Sequence, residues 1–295
     1  MVSSNPSLSR VQPSPEDWLI PQWTSPQPRV GALMTTRCAP GGAPGLAVEA
    51  DDPYAAFNLG DHVGDAALAV AERRQALARC VGGRPVWLTQ VHGARVVSLA
   101  SDARSGAVRV DGQVWHGEPI EADGSWTREP GLVCTVMVAD CLPVLLAAPE
   151  GRGVAALHAG WRGLCGAGPQ MAGQGVIESG VRALCDGVGC DPHELQAWLG
   201  ACIGPGAFEV GADVLQGCGA DPMRAHPRFT AVVGRQGKWW ADLAGLARDR
   251  LAGLGVRDVS GGAWCTVSSP ARFFSFRRSR VTGRQAACIW LNARA

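Results

Sequence analysis

The sequence lacks an apolar run of the length that a membrane span needs, and its beginning lacks the basic and then apolar pattern of a targeting segment. It also lacks a charge imbalance, because 27 Lys and Arg residues face 26 Asp and Glu residues and leave a formal net charge of +1. A strong positive excess would be expected of a chain that binds polyanions. We therefore expect a cytoplasmic protein that acts on small molecules and binds neither nucleic acid nor membranes.

Histidine is scarce, with six residues, whereas cysteine is plentiful, with eleven. In a short secreted chain so many cysteines would predict a disulfide framework, but here they are scattered through 295 residues. We therefore expect a reducing compartment. Most of the cysteines, including Cys134, Cys165 and Cys202, are expected to be free thiols that pack as small apolar side chains.

The composition along the chain predicts one large domain without internal repeats. Residues 1–17 are rich in Ser and Pro and are predicted to form a disordered extension, which leaves residues 18–295 as the folded domain. The stretch 38–60 is rich in Gly, Pro and Asp, which predicts a long loop. Residues 101–121 look inserted, and Asp111-Gly112 predicts a hairpin within them that we interpret as a peripheral decoration.

Short apolar runs and helical periodicity predict the main elements. Buried strands are expected over residues 85–90, 133–138, 144–148 and 154–158. Helices are expected over residues 66–80, 170–185 and 242–254. The order of these elements predicts an α+β fold, a single-domain α-β sandwich in which a mixed β-sheet is flanked by helices.

Side chains that can bind a metal stand where three apolar runs end. His92 and His158 are each followed by glycine, which would let a ligand approach the imidazoles closely. Cys141 lies where Pro143 is expected to break a strand, because proline cannot donate to a ladder. Two imidazoles and one thiolate suit Zn²⁺ and leave a fourth position for water or substrate. From the residues alone, a structural role is favoured at each position, as a hydrogen-bonded histidine or as a small buried cysteine.

Five segments closely resemble those of the YfiH/YlmD family, namely QVHG (90–93), ADCLPVLL (139–146), VAALHAGWRGL (154–164), WLGACIGPGAFEVG (198–211) and FFSFRRSRVTGRQAACIWL (273–291). This family is also called peptidoglycan editing factor or multicopper polyphenol oxidase, and it has a vertebrate relative known as laccase domain-containing protein. The resemblance runs in the same order from about Trp18 to the C-terminus. The loop after Arg37 and the stretch around 108–117 depart from the family's pattern.

The resemblance implies a catalytic domain with an α-β sandwich fold related to cysteine-dependent toxin deamidases. It implies a zinc ion bound by His92, Cys141 and His158, with copper as the alternative metal. The implied activities are phosphorolysis of adenosine, guanosine, inosine and methylthioadenosine, and deamination of adenosine to inosine, and bacterial members are linked to peptidoglycan fidelity. The expected partners are purine nucleosides and phosphate, and the expected state is a monomer or weak homo-oligomer.

The candidate catalytic residues on this interpretation are the three metal ligands and Asp140. Deamination needs an acid or base beside the metal, and Asp140 adjoins Cys141, although its carboxylate could instead cap backbone amides at the strand break. Phosphate binding needs guanidinium donors. The candidates stand beside the family motifs and are Arg162, Arg37, Arg277 and Arg278, each with a structural salt bridge as the alternative.

Further substrate candidates come from polar and aromatic side chains of the same segments. Asn58 precedes Leu-Gly, a position that often makes a turn, and His62 follows shortly after. Trp161 and Phe274 could stack on a purine or could pack in the core.

Three other functions stay open at this point. Cys141 and His158 would form a nucleophilic dyad of a cysteine hydrolase or deamidase if no metal occupied them. A copper polyphenol oxidase would need more histidines than six scattered ones readily provide. A protein that only binds a nucleoside or a peptidoglycan precursor would not need all three ligand types.

Overall fold

The computed structural model describes residues 18–40, 52–169 and 171–293. Its strands are β1 (Val30–Met34), β2 (Arg84–Val86), β3 (Val96–Ser101), β4 (Val108–Val110), β5 (Gln113–Val114), β6 (Gly124–Thr127), β7 (Leu132–Val138), β8 (Leu142–Ala147), β9 (Val154–Ala159), β10 (Gln196–Leu199), β11 (Glu209–Val210), β12 (Phe229–Ala231), β13 (Trp239–Ala241), β14 (Asp258–Gly261) and β15 (Gln285–Leu291). Its α-helices are α1 (Ala67–Val81), α2 (Trp161–Cys165), α3 (Val176–Val188), α4 (Ala212–Gly217) and α5 (Leu243–Gly253).

The strands form two large sheets and a small one. The larger is mixed and has the order β14-β10-β8-β9-β6-β3-β4-β5, and the second has the order β1-β15-β7-β2. The two sheets pack face to face, because Val136 and Val138 of β7 share one buried cluster with Leu145 of β8 and Ala156 of β9. The third sheet, β11-β13-β12, is short.

Helices cover the outer faces of both large sheets. Val144 and Leu146 of β8 point away from the second sheet and pack in a cluster with Val181 of α3 and Leu246 of α5. On the opposite side of the molecule, Leu77 of α1 packs in a cluster with side chains of β7 and β15. Successive strand residues alternate between the two faces of a sheet, and both faces of this sheet are covered at β8. The strand is therefore apolar and buried at every position. The layers are therefore helix, sheet, sheet and helix, which confirms the predicted α+β sandwich.

Three predicted strands coincide with β7, β8 and β9, and two of the predicted helices coincide with α1 and α5. The strand predicted over residues 85–90 is mostly wrong, because β2 ends at Val86 and the chain continues as a loop. The strand break predicted at Pro143 is wrong, because Pro143 lies inside β8, opposite His158, and its carbonyl accepts a hydrogen bond from Gly200. The chain instead leaves regular structure at Asp140, whose φ is 95°.

The remaining helix, which is predicted over residues 170–185, begins later than expected. It was predicted from residue 170, which lies outside the described residues, whereas α3 starts at Val176. The Glu178 side chain accepts a hydrogen bond from the Gly175 amide at 2.8 Å and fixes the first turn there. Turns that contain Gly173 occupy the preceding residues, because glycine weakens a helix interior.

One cysteine prediction is wrong. Cys165, at the end of α2, is bonded to Cys218, which follows α4, because the two short helices pack together and bring the Cα atoms to 4.8 Å. Cys134 and Cys202 are free and buried, as expected.

Two predictions concern residues beyond the described ranges, the extension 1–17 and the part of the long loop over 41–51. Among the residues that the structure covers, no helix is both long and apolar enough to cross a membrane.

Candidate metal centre

The structure brings together the three predicted metal ligands. His92 lies in the loop after β2, Cys141 in the connection between β7 and β8, and His158 in β9. One donor atom from each lies within 4.8 Å of the others, and Cys141 Sγ is 3.7 Å from His92 Nε2. The two imidazole rings meet edge to face, with centroids 4.8 Å apart.

The topology explains why residues so distant in sequence meet. The β7–β8 connection passes from one large sheet to the other, so Cys141 stands at the rim of the sandwich. Pairing of Leu142 with Ala159 places Cys141 opposite Gly160 at the end of β9. A Cβ atom on Gly160 would lie 2.7 Å from His92 Cδ2 and 3.0 Å from the Cys141 sulfur. Glycine is therefore required for this close approach.

A buried carboxylate that the motifs did not predict holds two of the ligands. Asp123 is 0% exposed and lies just before β6. One of its oxygens accepts hydrogen bonds from the His158 Nδ1 at 2.8 Å and from the His92 amide at 2.9 Å. The other accepts from the amides of Val91 and Gly93 at 3.3 and 2.6 Å. Asp123 thus leaves Nε2 of His158 for a ligand and fixes the His92 backbone at a φ of 61°, a conformation rare for residues with a side chain.

The electrostatics of the centre favour a charged pair. Burial raises the pKa of the Cys141 thiol, but the charge and hydrogen bond of His158 and the contact with His92 outweigh it and lower that pKa to about 6. Burial lowers the pKa of His158, but Cys141 and Asp123 reverse the effect and raise it to about 9. In the metal-free protein the sulfur is therefore a thiolate near neutral pH, the form that binds metals.

The donor chemistry fits a divalent metal ion. Two imidazole nitrogens and a thiolate sulfur are ligands that zinc prefers, and a zinc-bound histidine usually donates its other ring N–H to a carboxylate, as His158 does here to Asp123. His158 is buried, Cys141 half-buried and His92 exposed, so the cluster is open on the His92 side. His92, Cys141 and His158 would hold the ion and leave room for an exogenous ligand.

A cavity of about 760 Å³ opens beside the cluster and is lined by all three of these side chains. Its walls include the aromatic residues Trp87, Trp115 and Phe276. Trp115 follows the predicted hairpin, which forms between β4 and β5 with positive φ at Asp111 and Gly112. The interpretation of this insertion as peripheral is wrong, because its last residues turn back to line the cavity. The volume and aromatic walls suit a ligand the size of a nucleoside.

Asp140 lies next to the cluster, but both of its oxygens are engaged. Thr266 Oγ1 donates to one oxygen at 2.5 Å, and the backbone amide of Arg277 donates to the other at 2.6 Å. This arrangement matches the alternative in which the carboxylate caps backbone and hydroxyl donors. Its role as an acid or base stays a prediction.

The four predicted phosphate ligands lie outside the cavity lining. Arg37 donates to the carbonyls of Ala55 and Pro270, and Arg277 donates to that of Glu209. Arg278 donates to the carbonyls of three residues, Thr266, Val267 and Phe273. Arg162 is exposed and stacks on the Trp161 ring with its guanidinium carbon 4.6 Å from the centroid.

Of the other substrate candidates, His62 lies in the cavity lining, whereas Asn58 and Phe274 lie outside it. Asn58 is buried and makes a turn, since its side chain bonds the backbone of Gly60 and the carboxylate of Asp65. His62 lines the cavity and is exposed. Phe274 is fully buried in the core.

The sequence is similar to those of known proteins. Residues 45–292 match the family described as multi-copper polyphenol oxidoreductase laccase. A purine nucleoside phosphorylase of Pseudomonas aeruginosa is 42% identical over 274 residues, which cover 93% of this chain and 98% of the relative. The purine nucleoside phosphorylase YfiH of Escherichia coli K12 is 41% identical over 279 residues, which cover 92% of this chain and 98% of the relative.

Solved structures show the same fold. A Neisseria meningitidis protein superimposes with a TM-score of 0.74 at 36% identity and covers 94% of this chain and 100% of its own. YlmD from Geobacillus stearothermophilus superimposes with a TM-score of 0.73 at 26% identity, with the same two coverages.

The fold and the site define a class of protein, a two-sheet α+β sandwich with a candidate metal centre at the rim of a small-molecule cavity. The chain belongs to the multi-copper polyphenol oxidoreductase laccase family, in which its relatives include YfiH. The family membership predicted from the five motifs is thereby confirmed.

Proposed function

We propose that this chain is a zinc-dependent purine nucleoside phosphorylase. The observation that carries the proposal is the His92–Cys141–His158 cluster in the lining of an aromatic-walled cavity of about 760 Å³. Its relatives named purine nucleoside phosphorylase, at 42% and 41% identity, support the same reaction.

Zinc fits the cluster better than copper does. A blue-copper centre adds a long axial methionine to two histidines and a cysteine. Met137 lines the cavity, but its sulfur lies 3.7 Å from Nη2 of Arg74, which donates to it. Phosphorolysis transfers no electrons, so a metal without redox chemistry suffices.

The proposed reaction exchanges one bond at the ribose. A phosphate oxygen attacks C1′ and forms a C1′–O bond, while the C1′–N9 bond breaks and its electron pair leaves with the purine, which takes up a proton. A divalent ion at the cluster would act as a Lewis acid that stabilises developing negative charge. Trp87, Trp115 and Phe276 would hold the base in the cavity, and Asp123 would keep His92 and His158 oriented.

The test is an incubation of each purine nucleoside with and without phosphate, followed by chromatography. We expect free base and ribose 1-phosphate only when phosphate is present. Adenosine deaminase activity, the second activity that we propose for the same cavity, would give inosine and ammonia in both samples. Unchanged nucleosides in every sample would refute the proposal.

A second candidate function is supported by one observation. Cys141, His158 and Asp123 stand in the order of a nucleophile, a base and an orienting carboxylate, and the pKa of the thiol is lowered to about 6. A metal-free cysteine hydrolase or deamidase would use this arrangement. Release of ammonia from glutamine-containing peptides by protein stripped of metal, with no phosphorolysis by the metal-loaded protein, would favour the hydrolase.

A further inference from the structure

Arg284 places a positive charge in the cavity that contains the candidate metal ligands. It is the last residue before β15, and its side chain lines the cavity together with Cys141. Gln285 pairs with Val138 at the end of β7, so Arg284 lies beside the connection that carries Cys141. The residue is half-buried.

Within the described ranges, Arg284 makes no ion pair with a carboxylate. Its Nη1 donates to the carbonyls of Thr282 and Gly283 at 3.0 and 3.1 Å. Arg74, which lines the same cavity, is instead paired with Asp61 at 3.0 Å. Burial, the largest influence on Arg284, lowers the pKa of its guanidinium. Cys141 and Asp140 raise that pKa, but neither forms a hydrogen bond or ion pair with Arg284 in the described part of the chain, whose contacts with the guanidinium go to neutral carbonyls. A partly desolvated guanidinium without a directly bonded anion favours an anion in the space beside it.

The backbone that carries Arg284 is fixed by buried hydrogen bonds. Its amide donates to Oδ1 of Asn58 at 2.8 Å, and its carbonyl accepts from the amide of Leu59 at 3.0 Å. A Cβ atom on Gly60 would lie 2.8 Å from Cγ of Arg284, so the glycine makes room for the stem of the side chain. The guanidinium is thus held in position before any ligand binds, which lowers the entropy lost on binding.

We propose that Arg284 binds the phosphate that attacks the nucleoside. The proposal rests on the proposed phosphorolysis and names the residue that recognises its second substrate. A guanidinium presents parallel N–H donors that match two oxygens of a phosphate. The two carbonyl contacts of Arg284 use Nη1, and its Nη2 and Nε donate to no group in the part of the chain that the structure describes. The four arginines predicted from the motifs are used on backbone carbonyls or stacked on a ring. Of the other arginines in the cavity lining, Arg74 is paired with Asp61 and Arg84 is exposed, so Arg284 is the one best placed for this role.

The test compares the variants Arg284→Gln, Arg284→Lys and Arg257→Gln. Arg257 is exposed and precedes β14, at the end of the sheet away from the cluster, and therefore controls for loss of charge. Since a hydrogen bond to a charged group contributes about 1.5 to 3 kcal/mol, we expect the KM for phosphate to rise about tenfold or more in Arg284→Gln. The KM for the nucleoside should change less than about threefold, Arg284→Lys should be intermediate, and Arg257→Gln should match the wild type.

A second measurement needs no nucleoside. Inorganic phosphate should raise the melting temperature of the wild type and of Arg257→Gln in a phosphate-free buffer, and should raise that of Arg284→Gln much less. Equal stabilisation of all variants, or an unchanged KM for phosphate in Arg284→Gln, would overturn the role of Arg284. So would a rise in that KM found only in Arg84→Gln, which alters an exposed arginine of the same cavity. Phosphate binding through Arg284 without any ribose 1-phosphate would instead refute the proposed function and leave an anion site.

Discussion

Replacement of Asp123 by asparagine should weaken the metal centre without changing any ligand. The carboxylate accepts four hydrogen bonds in the structure, two on each oxygen. An asparagine amide has the same shape but only one acceptor oxygen. Whichever way it is oriented, its NH2 group faces two donors, either the amides of Val91 and Gly93 or the His92 amide and the His158 ring.

The size of the expected loss in zinc affinity follows from what a carboxylate behind a metal-bound histidine contributes. Loss of a carboxylate behind a metal-bound histidine typically lowers metal affinity about 10- to 100-fold, which corresponds to about 1.4 to 2.7 kcal/mol. Two buried donors that lose their acceptor should also destabilise the metal-free protein by about 1 to 3 kcal/mol. We therefore expect both a weaker zinc complex and a lower free energy of unfolding.

The assay is a competition titration of zinc between the protein and a fluorescent chelator, accompanied by urea unfolding of the metal-free protein. Asp213→Asn is the matched control, because Asp213 is exposed on α4. The reasoning is refuted if Asp123→Asn binds zinc within about twofold of the wild type, since the carboxylate would then neither orient His158 nor fix His92.

Two further predictions concern contacts of Gly160 and of Asp65. Gly160→Ala should lower zinc affinity at least about tenfold, because the new Cβ would displace two ligands, whereas Gly206→Ala, which meets no atom within 4 Å, should not; the same titration measures both. Burial raises the pKa of Asp65, but hydrogen bonds from Asn58 and Arg73 outweigh it and lower the pKa. Stability from Asp65 is thus complete above its unfolded pKa of about 3.9 and is lost as pH falls through the lower folded value. Urea unfolding should show a smaller loss between pH 5 and about pH 2 in Asp65→Asn than in the wild type.

The ligand residues were predictable because local signals mark them. Cys141 and His158 stand next to the ends of the apolar strands β8 and β9, whereas His92 follows an apolar run of which only the first residues form β2. The continuous apolar run of β8 correctly predicted a strand buried on both faces. The break was placed at Pro143 because a proline inside a ladder is rare, and only the pairing with β9 shows that it is accommodated.

The supporting residues were not predictable, because their roles depend on contacts across strands. Asp123 lies 35 residues from His158 in sequence, and its sole local signal is a polar residue before the first glycine of a buried strand. Arg284 precedes an apolar strand like many surface arginines, and only the register of β15 with β7 brings it to the cavity. The insertion after Ser101 looked peripheral because its hairpin is local, whereas Trp115 reaches the cavity through tertiary packing.

The most direct test of the central claim is elemental analysis of the protein purified without chelators and of its Cys141→Ala variant, with Cys202→Ala as the control. Cys202 is a free cysteine buried in the core and is not one of the three ligands. We predict about one zinc per chain in the wild type and in Cys202→Ala, and almost none in Cys141→Ala at an unchanged fold. Equal zinc in all three proteins, or none in the wild type even after incubation with zinc, would contradict the metal centre.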